Sequence, residues 1–491
     1  MPSPPPQSPD VERRLHLAIH GLSERAPMLS AERTFLPRQT VAIVGTLVLL
    51  VVLAVLWPWI TLPALVGLTV VVYLSTIVFR VSLLYHAVRH PSIEIISDAE
   101  ARATPDAALP VYTVLIPCYR EAEVLEQILV GLEQIEYPRD RLDIKLLLEE
   151  DDVDTIEAAR ALGADRLCEL VVVPAAEPRT KPKALNYGLQ SARGLYVTIF
   201  DAEDRPDPLQ LRKAAIALQR APADVACLQA ELAYWNADQN IITRWFTLEY
   251  ELWFRQFLPG LSRMEAPLPL GGTSNHFSRE VLVRAGAWDP YNVTEDADLG
   301  VRLHRLGYRT GMLGSVTYEE ANSDFVNWVK QRSRWYKGYL QTWLVHMRQP
   351  VQLLREVGLR GFLRFNLFVG GTPALALLNP VFWGLTILWF LLKPAFILEL
   401  LPAPVYYSSL LAWLLGNFFF LYTFVVAAYH HPERRVFTAA LLAPLYWVAM
   451  SLAAAKAFLQ LVFTPQYWEK TQHGLAKAAG TSPEAEGSGA G

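Results

Sequence analysis

Three short apolar runs in this chain end in unusual concentrations of carboxylates. YTVLIPCYREAE brings Pro117, Tyr119 and Glu121, IKLLLEEDDVD brings Glu149, Glu150, Asp151 and Asp152, and LYVTIFDAEDRPDP brings Asp201, Glu203 and Asp204. If these runs are strands of an open α/β sheet, their carboxyl ends are where a ligand sits. Carboxylates gathered at one edge repel one another unless a cation joins them. An all-oxygen ligand set suits Mg2+ or Mn2+, which keep waters and bind phosphates. A solvated acidic loop is the competing reading, and it weighs more on EEDDVD than on FDAED, which follows an apolar strand. Lys181 and Lys183 in TKPKALNYGL precede FDAED and would offset the charge of a diphosphate.

Two further stretches carry possible chemistry. NVTEDADLGVRLHRLGYRT places Thr294, Glu295 and Asp296 at the start of an apparent helix. These are good capping and first-turn residues. A general base must also be a carboxylate or histidine beside a cleft, so Asp296 fits both roles. QRSRWYKGYLQTW, residues 331–343, is too basic for a bilayer interior and too aromatic for an ordinary solvated face. On a helix, Gln331, Arg334 and Trp335 share one face, because positions three and four apart are neighbours.

These side chains need a scaffold. Between residues 92 and 350 strand-like runs alternate with helical patterns such as AEVLEQILVGLEQI and PKALNYGLQSAR. Such alternation predicts an α/β domain on a largely parallel sheet. Before it, Val41–Ile60 and Thr61–Phe79 are uncharged, each about the 20 residues that cross a bilayer. After it, Phe365–Leu392 is apolar but interrupted by Gly370, Gly371, Pro373 and Pro380, and Val405–Tyr429 and Val436–Ala455 follow. The expectation is four crossings with Val436–Phe463 embedded near the inner interface. The alternative is six crossings, with Phe365–Leu392 split into a hairpin. HHPERR, residues 430–435, favours the cytoplasmic side by the positive-inside rule.

The composition agrees. Of 491 residues, 52% are hydrophobic and only 19% charged, and the mean hydropathy is +0.21. A net charge of −4 gives no basic field for nucleic acid. Cys118, Cys168 and Cys227 lack zinc-site or disulfide-framework spacing, which fits a reducing compartment. The expected organisation is a disordered N-terminus over 1–38, two membrane helices over 39–82, and a catalytic domain over 92–322. Interface helices over 323–362, membrane or embedded helices over 363–463, and a loop with a disordered tail over 464–491 complete it.

Taken in order, VLIPCYREAE, EEDD, KPKALN, DAED, GGTSN, TED and QRSRW resemble the motifs of the membrane-integrated processive family 2 glycosyltransferases, the cellulose, hyaluronan and chitin synthase-like enzymes. The resemblance spans about residues 110–345 and implies a GT-A-type, Rossmann-like catalytic domain inserted between transmembrane segments. It implies that Pro117, Tyr119, Glu121, Glu150 and Asp152 touch the nucleotide, and that Lys181 and Arg334 approach its diphosphate. Asp201 and Glu203 stand at the DxD positions. The family has a second Asp where this chain has Glu203, so Asp204 remains an alternative metal ligand. Asp296, with Glu295 beside it, would deprotonate the acceptor hydroxyl. Gly272, Thr273 and Ser274 would line the acceptor floor, with Gln331 and Trp335 above it. TPQYWEKTQHG resembles the family's gating loop, which implies that Trp468, Lys470 and Thr471 cover the bound nucleotide.

The implied reaction is an inverting transfer of a hexose to a growing β-glycan, with export of the polymer and with Mg2+ or Mn2+ as cofactor. UDP-glucose is the expected donor, GDP-mannose or UDP-N-acetylglucosamine the alternatives. The expected setting is a bacterial-type inner membrane with a cytoplasmic catalytic domain and envelope export partners. A non-processive transferase to a lipid is the nearest rival. An inactive transporter or scaffold is disfavoured by the intact acidic motifs.

Overall fold

The computed structural model describes residues 8–89, 92–393, 401–429 and 434–469. The first element departs from expectation. Residues 1–38 read as disordered, yet Pro9–Arg25 forms a helix, α1. Ser8 caps it by accepting the Val11 N–H, and Asp10 and Glu12 in its first turn suit the positive end of the helix dipole. The proline-rich start masked an amphipathic segment that buries Ala18, Ile19 and Leu22. Asn186 Nδ2 donates to the Ala18 carbonyl at 3.0 Å and fixes α1 to the catalytic domain.

Two long apolar helices follow, α2 (Pro37–Leu56) and α3 (Pro58–Arg89). Pro58 cannot continue α2, so the chain turns at Trp57. Beyond them lies a nine-stranded sheet. Its strands are β1 (Ile93–Glu94), β2 (Tyr112–Cys118), β3 (Leu142–Glu149), β4 (Glu169–Val173), β5 (Tyr196–Ile199), β6 (Arg205–Pro206), β7 (Val225–Tyr234), β8 (Asn275–Ser278) and β9 (Arg309–Glu319). The order is β1-β9-β7-β8-β5-β2-β3-β4, with β6 paired to β9. β2 runs parallel to β3 and β5, while β8 lies antiparallel between β5 and β7. β9 runs parallel to β7. The carboxyl ends of β2, β3, β5, β7 and β9 therefore share one edge. β2 and β3 are buried on both faces, as strands covered by helices on each side must be.

The helices that carry chemistry are α4 (Lys181–Leu189), α5 (Ile241–Leu252), α6 (Glu295–Arg305) and α7 (Phe325–His346). The later apolar block holds α8 (Gly371–Leu392), α9 (Ala403–Tyr429) and α10 (Ala443–Phe463). Among the described residues five helices are long and apolar enough to cross a membrane, α8 being the end of a helical stretch that starts at Pro350. Phe365–Leu392 forms no hairpin: α8 runs unbroken through Pro380. The expected embedded helix Val436–Phe463 is divided at Leu442 into Arg434–Leu441 and α10. Most of the expected tail, residues 470–491, lies outside the described residues.

α7 joins the two halves of the molecule. Both terminal nitrogens of Arg332 bond the Glu249 carboxylate on α5, which also accepts the Tyr446 hydroxyl of α10 at 2.6 Å. Closer to the base, Gln341 of α7 gathers distant segments. Its Nε2 donates to Thr34 Oγ1 (3.2 Å), to the Tyr291 carbonyl (3.3 Å) and to the Pro465 carbonyl (3.3 Å), and its Oε1 accepts the Val293 N–H (3.1 Å). Asp289, at the start of the same loop, accepts Ser30 Oγ and the Ala31 N–H. The N-terminal segment thus braces the loop that leads into α6.

Candidate active site

The shared strand edge opens into a cleft of about 460 Å³. Pro117, Tyr119 and Glu121 enter it after β2, Asp201 and Glu203 after β5, and Lys181 from the first turn of α4. Gly272 and Thr273 form part of the floor, Glu295 and Asp296 one wall, and Gln331, Arg334 and Trp335 the α7 side.

Four expected residues lie elsewhere. Glu150 accepts the Ala175 N–H at 3.0 Å on the exposed side, and its neighbour Glu149 faces the cleft instead. Side chains alternate along a strand, so one step decides which carboxylate turns inward. Glu149 is bonded to Lys183 at 2.7 Å. Asp152 caps the helix Val153–Ala161 and accepts the Arg120 N–H, holding Arg120 in the left-handed region at φ 56°. It shapes the Tyr119–Glu121 loop from behind rather than touching the cleft. Ser274 is buried, with its hydroxyl 2.7 Å from Thr317 Oγ1. Asp204 turns away from the cavity, accepting the Asp201 N–H at 2.7 Å and the Thr273 hydroxyl. Of the two candidates after Asp201, the turn therefore leaves Glu203 on the cleft surface.

Glu319, at the end of β9, joins the group and is not among the residues expected from the sequence. TYEE, an acidic doublet closing an apolar run, carries the same signal that singled out FDAED. Burial and then the charges of Asp204, Asp201 and Glu203 raise the Glu319 carboxyl. Burial, followed by Asp201 and Glu203, raises Asp204 in the same way. Lys181 Nζ bonds Asp201 and donates to the Gly272 carbonyl at 2.8 Å. Burial works against its charge, yet Asp201 and Glu295 hold its pKa above the usual lysine value.

α6 starts at Glu295 after Thr294, but Thr294 does no capping: its hydroxyl is buried without a partner. The structural work in this helix falls to Asp298, which accepts Arg302 Nε at 2.7 Å and lies 3.0 Å from His346 Nε2 of α7. Asp296 is left half-buried at the cleft, accepting the Ala297 N–H at 2.7 Å. A Cβ at Gly272 would stand 3.4 Å from Asp296 Oδ2, in van der Waals contact, so the two residues adjoin. Burial lifts Asp296 to about 6 against the pull of Lys181 and Arg334, and burial with the Asp296 charge lifts Glu295 to about 8. A base must be deprotonated to act, so kcat/KM should fall as pH drops through about 6. A pH–rate profile checks this: an acid limb near 4 would mean that the base is an ordinary solvated carboxylate.

Arg334 extends over the cleft with its guanidinium 4.7 Å from the Trp468 ring centroid. Trp468 also lines the cavity, and Lys337 Nζ, donating to the Tyr467 carbonyl at 2.5 Å, holds the stretch before it. Lys470 and Thr471 lie outside the described residues. Gln331 Oε1 accepts Asn322 Nδ2 at 2.7 Å. Trp335 packs beside Phe246 and Tyr250, with Arg332 at 4.6 Å from its ring, and still presents surface to the cavity.

The cleft thus gathers the loop after β2, the carboxylates Asp201 and Glu203 after β5, and the half-buried Asp296. The family model described as glycosyltransferase like family 2 matches residues 110–338. The chain carries a family 2 glycosyltransferase domain. Over 241 residues it is 28% identical to glucomannan 4-beta-mannosyltransferase 1 of Oryza sativa subsp. japonica, covering 47% of this chain and 46% of that protein. Over 287 residues it is 26% identical to beta-monoglucosyldiacylglycerol synthase of Synechocystis, covering 53% and 58%. The chain thus spans about half the length of these curated relatives. The glycosyltransferase domain also shares its GT-A-like fold with the mannosyltransferase PcManGT of Pyrobaculum calidifontis, solved with GDP-Man and Mn2+. That likeness has a TM-score of 0.51 at 19% identity and covers 81% of this chain and 98% of that one.

Proposed function

We propose that the protein is an inverting, processive hexosyltransferase of the membrane. It would add sugars from a nucleotide donor to a β-linked glycan and pass the glycan into the bilayer-spanning helices. One observation carries this reading. The cleft adjoins a second cavity of about 420 Å³ among the apolar helices, and the two share Glu249, Trp253, Tyr336 and Thr372. Trp383, Trp389, Trp413 and Trp447 line the second cavity, interspersed with Asn379, Ser409 and Asn417. Indole faces cover the apolar faces of sugars, and amides and hydroxyls bond their rims.

In this reading Asp296 takes the proton from the acceptor hydroxyl as the bond to the sugar forms on the opposite side from the leaving diphosphate. Lys181 and Arg334 flank that diphosphate, Arg334 with a fork that matches phosphate oxygens. The carboxylates fit a hard divalent cation. Asp204 Oδ1 is buried without a partner, and the mutual repulsion that raises Asp204 and Glu319 would be relieved by positive charge. In this reading Asp201 and Glu203 would hold the ion together with donor phosphates and water. Such an ion, Mg2+ or Mn2+, would supply charge stabilisation to the leaving diphosphate. Activity should then require a divalent metal. Glu203→Ala should raise the metal concentration for half-maximal rate about tenfold or more, with a smaller rise for Asp204→Asn. Measuring rate against metal concentration for both variants decides which carboxylate serves.

UDP-glucose is the proposed donor, with GDP-mannose and UDP-N-acetylglucosamine as alternatives. In this reading the catalytic domain faces the cytoplasm, and the polymer leaves toward export partners. A second reading, transfer of one sugar to a lipid, is favoured by the largely apolar wall of the second cavity and by the likeness to the Synechocystis lipid glycosyltransferase. The test supplies each labelled nucleotide sugar to the protein in proteoliposomes and sizes the product. A long water-soluble glycan supports processive synthesis, and a one-sugar, solvent-extractable product overturns it.

A further inference from the structure

Arg80 lies on α3, nine residues before the helix ends, or about 13 Å along its axis. The catalytic domain meets α3 at this level: Ser82 Oγ is 3.9 Å from Met264 Sδ, and the Arg80 guanidinium is 5.4 Å from the Phe257 ring centroid. On the membrane side the same guanidinium is 5.1 Å from the Phe420 ring of α9. Arg80 therefore stands at the seam between the cleft and the membrane cavity, and it lines the latter.

Its donors are poorly used. Nη2 donates to Thr372 Oγ1 at 3.3 Å, and Nε is buried without a partner. Glu249 is the one carboxylate among the described residues of the cavity wall, and it is bonded to Arg332 and Tyr446. A guanidinium held between two phenyl rings in an apolar setting is expensive to keep charged, and its fork matches phosphate oxygens two at a time. Intramembrane ionisable residues mark ligand paths.

The rest of the wall describes the other half of the ligand. Leu375, Phe382, Leu385, Phe390, Leu410 and Phe424 make it largely apolar. A free phosphate ion would gain nothing from them, and a neutral glycan has no need of the cation. A phosphate joined to hydrocarbon uses both. α9 packs on α3, and α8 packs on α10. The cavity lies between these two helix pairs, within the part of the chain that faces lipid.

We propose that Arg80 binds the phosphate of a phosphate-bearing lipid whose hydrocarbon chain occupies the membrane cavity. The site goes beyond the glycan reading and does not depend on which sugar is transferred.

Native mass spectrometry of the full chain, released from detergent with added lipid, tests this. The probes are phosphatidylglycerol and diacylglycerol with identical chains. The expected result is a single phosphatidylglycerol adduct, favoured over diacylglycerol by about tenfold or more, the worth of a charge-assisted hydrogen bond. Arg80→Gln should abolish the preference, and Arg80→Lys, which keeps the charge but not the fork, should retain part of it. Equal binding of the two lipids by the parent protein overturns the proposal without recourse to any variant. An unchanged preference in folded Arg80→Gln overturns it too. Displacement of the lipid by millimolar inorganic phosphate would assign the site to free phosphate instead. Tighter binding of a hexuronate oligomer would assign it to an anionic glycan. Sugar transfer assayed in parallel separates failure of this site from failure of the proposed reaction.

Discussion

Asp296→Asn should reduce sugar transfer by about 100- to 10,000-fold, the range over which a positioned general base contributes. The substitution keeps the shape of a residue held by the Ala297 N–H and adjoining Gly272. The α6 contact to His346 of α7 belongs to Asp298 and is left intact. Nucleotide affinity should stay near the parental value, since Lys181 and the carboxylates after β5 are untouched. Transfer and nucleotide binding measured in the same membranes settle the matter. Retention of more than about a tenth of the parental rate would place the base elsewhere. Glu295 is the first alternative, as its carboxyl is raised to about 8 and it lines the same wall.

Trp335→Ala should cut the yield of long product by about 100-fold, the size of effect that misplacing a reacting group by an ångström produces. Trp335 is held by Phe246, Tyr250 and Arg332, so its indole is a fixed platform and not a free side chain. It sits beside Tyr336, which the cleft shares with the membrane cavity. In the proposed reaction, losing the platform would disorder the acceptor end, while Lys181 and Arg334 would still flank the donor. The contrast to measure is product length against nucleotide affinity. Normal elongation would reduce Trp335 to packing between α5 and α7. A collapse of nucleotide binding would move it to the donor side. Because the aromatic contacts also support α5, thermal unfolding of the variant should be recorded alongside; a Trp335→Phe variant keeps most of the packing.

Much of the site can be read from local sequence because its parts obey local rules. Apolar runs of strand length ending in acids mark strand ends, and strands that alternate with helices bring those ends to one edge. Positions 331, 334 and 335 reach one cavity because helical periodicity places them there. Local rules fail where a single rotation decides. Glu149 and Glu150 are chemically alike, and only the pleat and the pairing of β3 with β4 turn the first inward. Asp204 leaves the cleft because the Thr273 hydroxyl, 69 residues away in the chain, and the Asp201 N–H capture its carboxylate.

The sequence by itself determined an α/β domain with acidic strand ends, set between apolar blocks, while the transferase reading rested on the resemblance of its ordered motifs. The α/β pattern and the apolar blocks follow from periodicity and composition, which act over a few residues. The tertiary structure alone decided how the pieces serve one another. Residues 8–36 act on a loop more than 250 positions away, through Asp289 and Gln341, because buried polar groups must find partners wherever the fold supplies them. Glu319 joins the carboxylates of β5 because β9 runs in the same direction on the same edge. The second cavity and Arg80 at its seam exist only because α3 packs with α9 and α8 with α10, a pairing that apolar helices of similar composition do not encode locally.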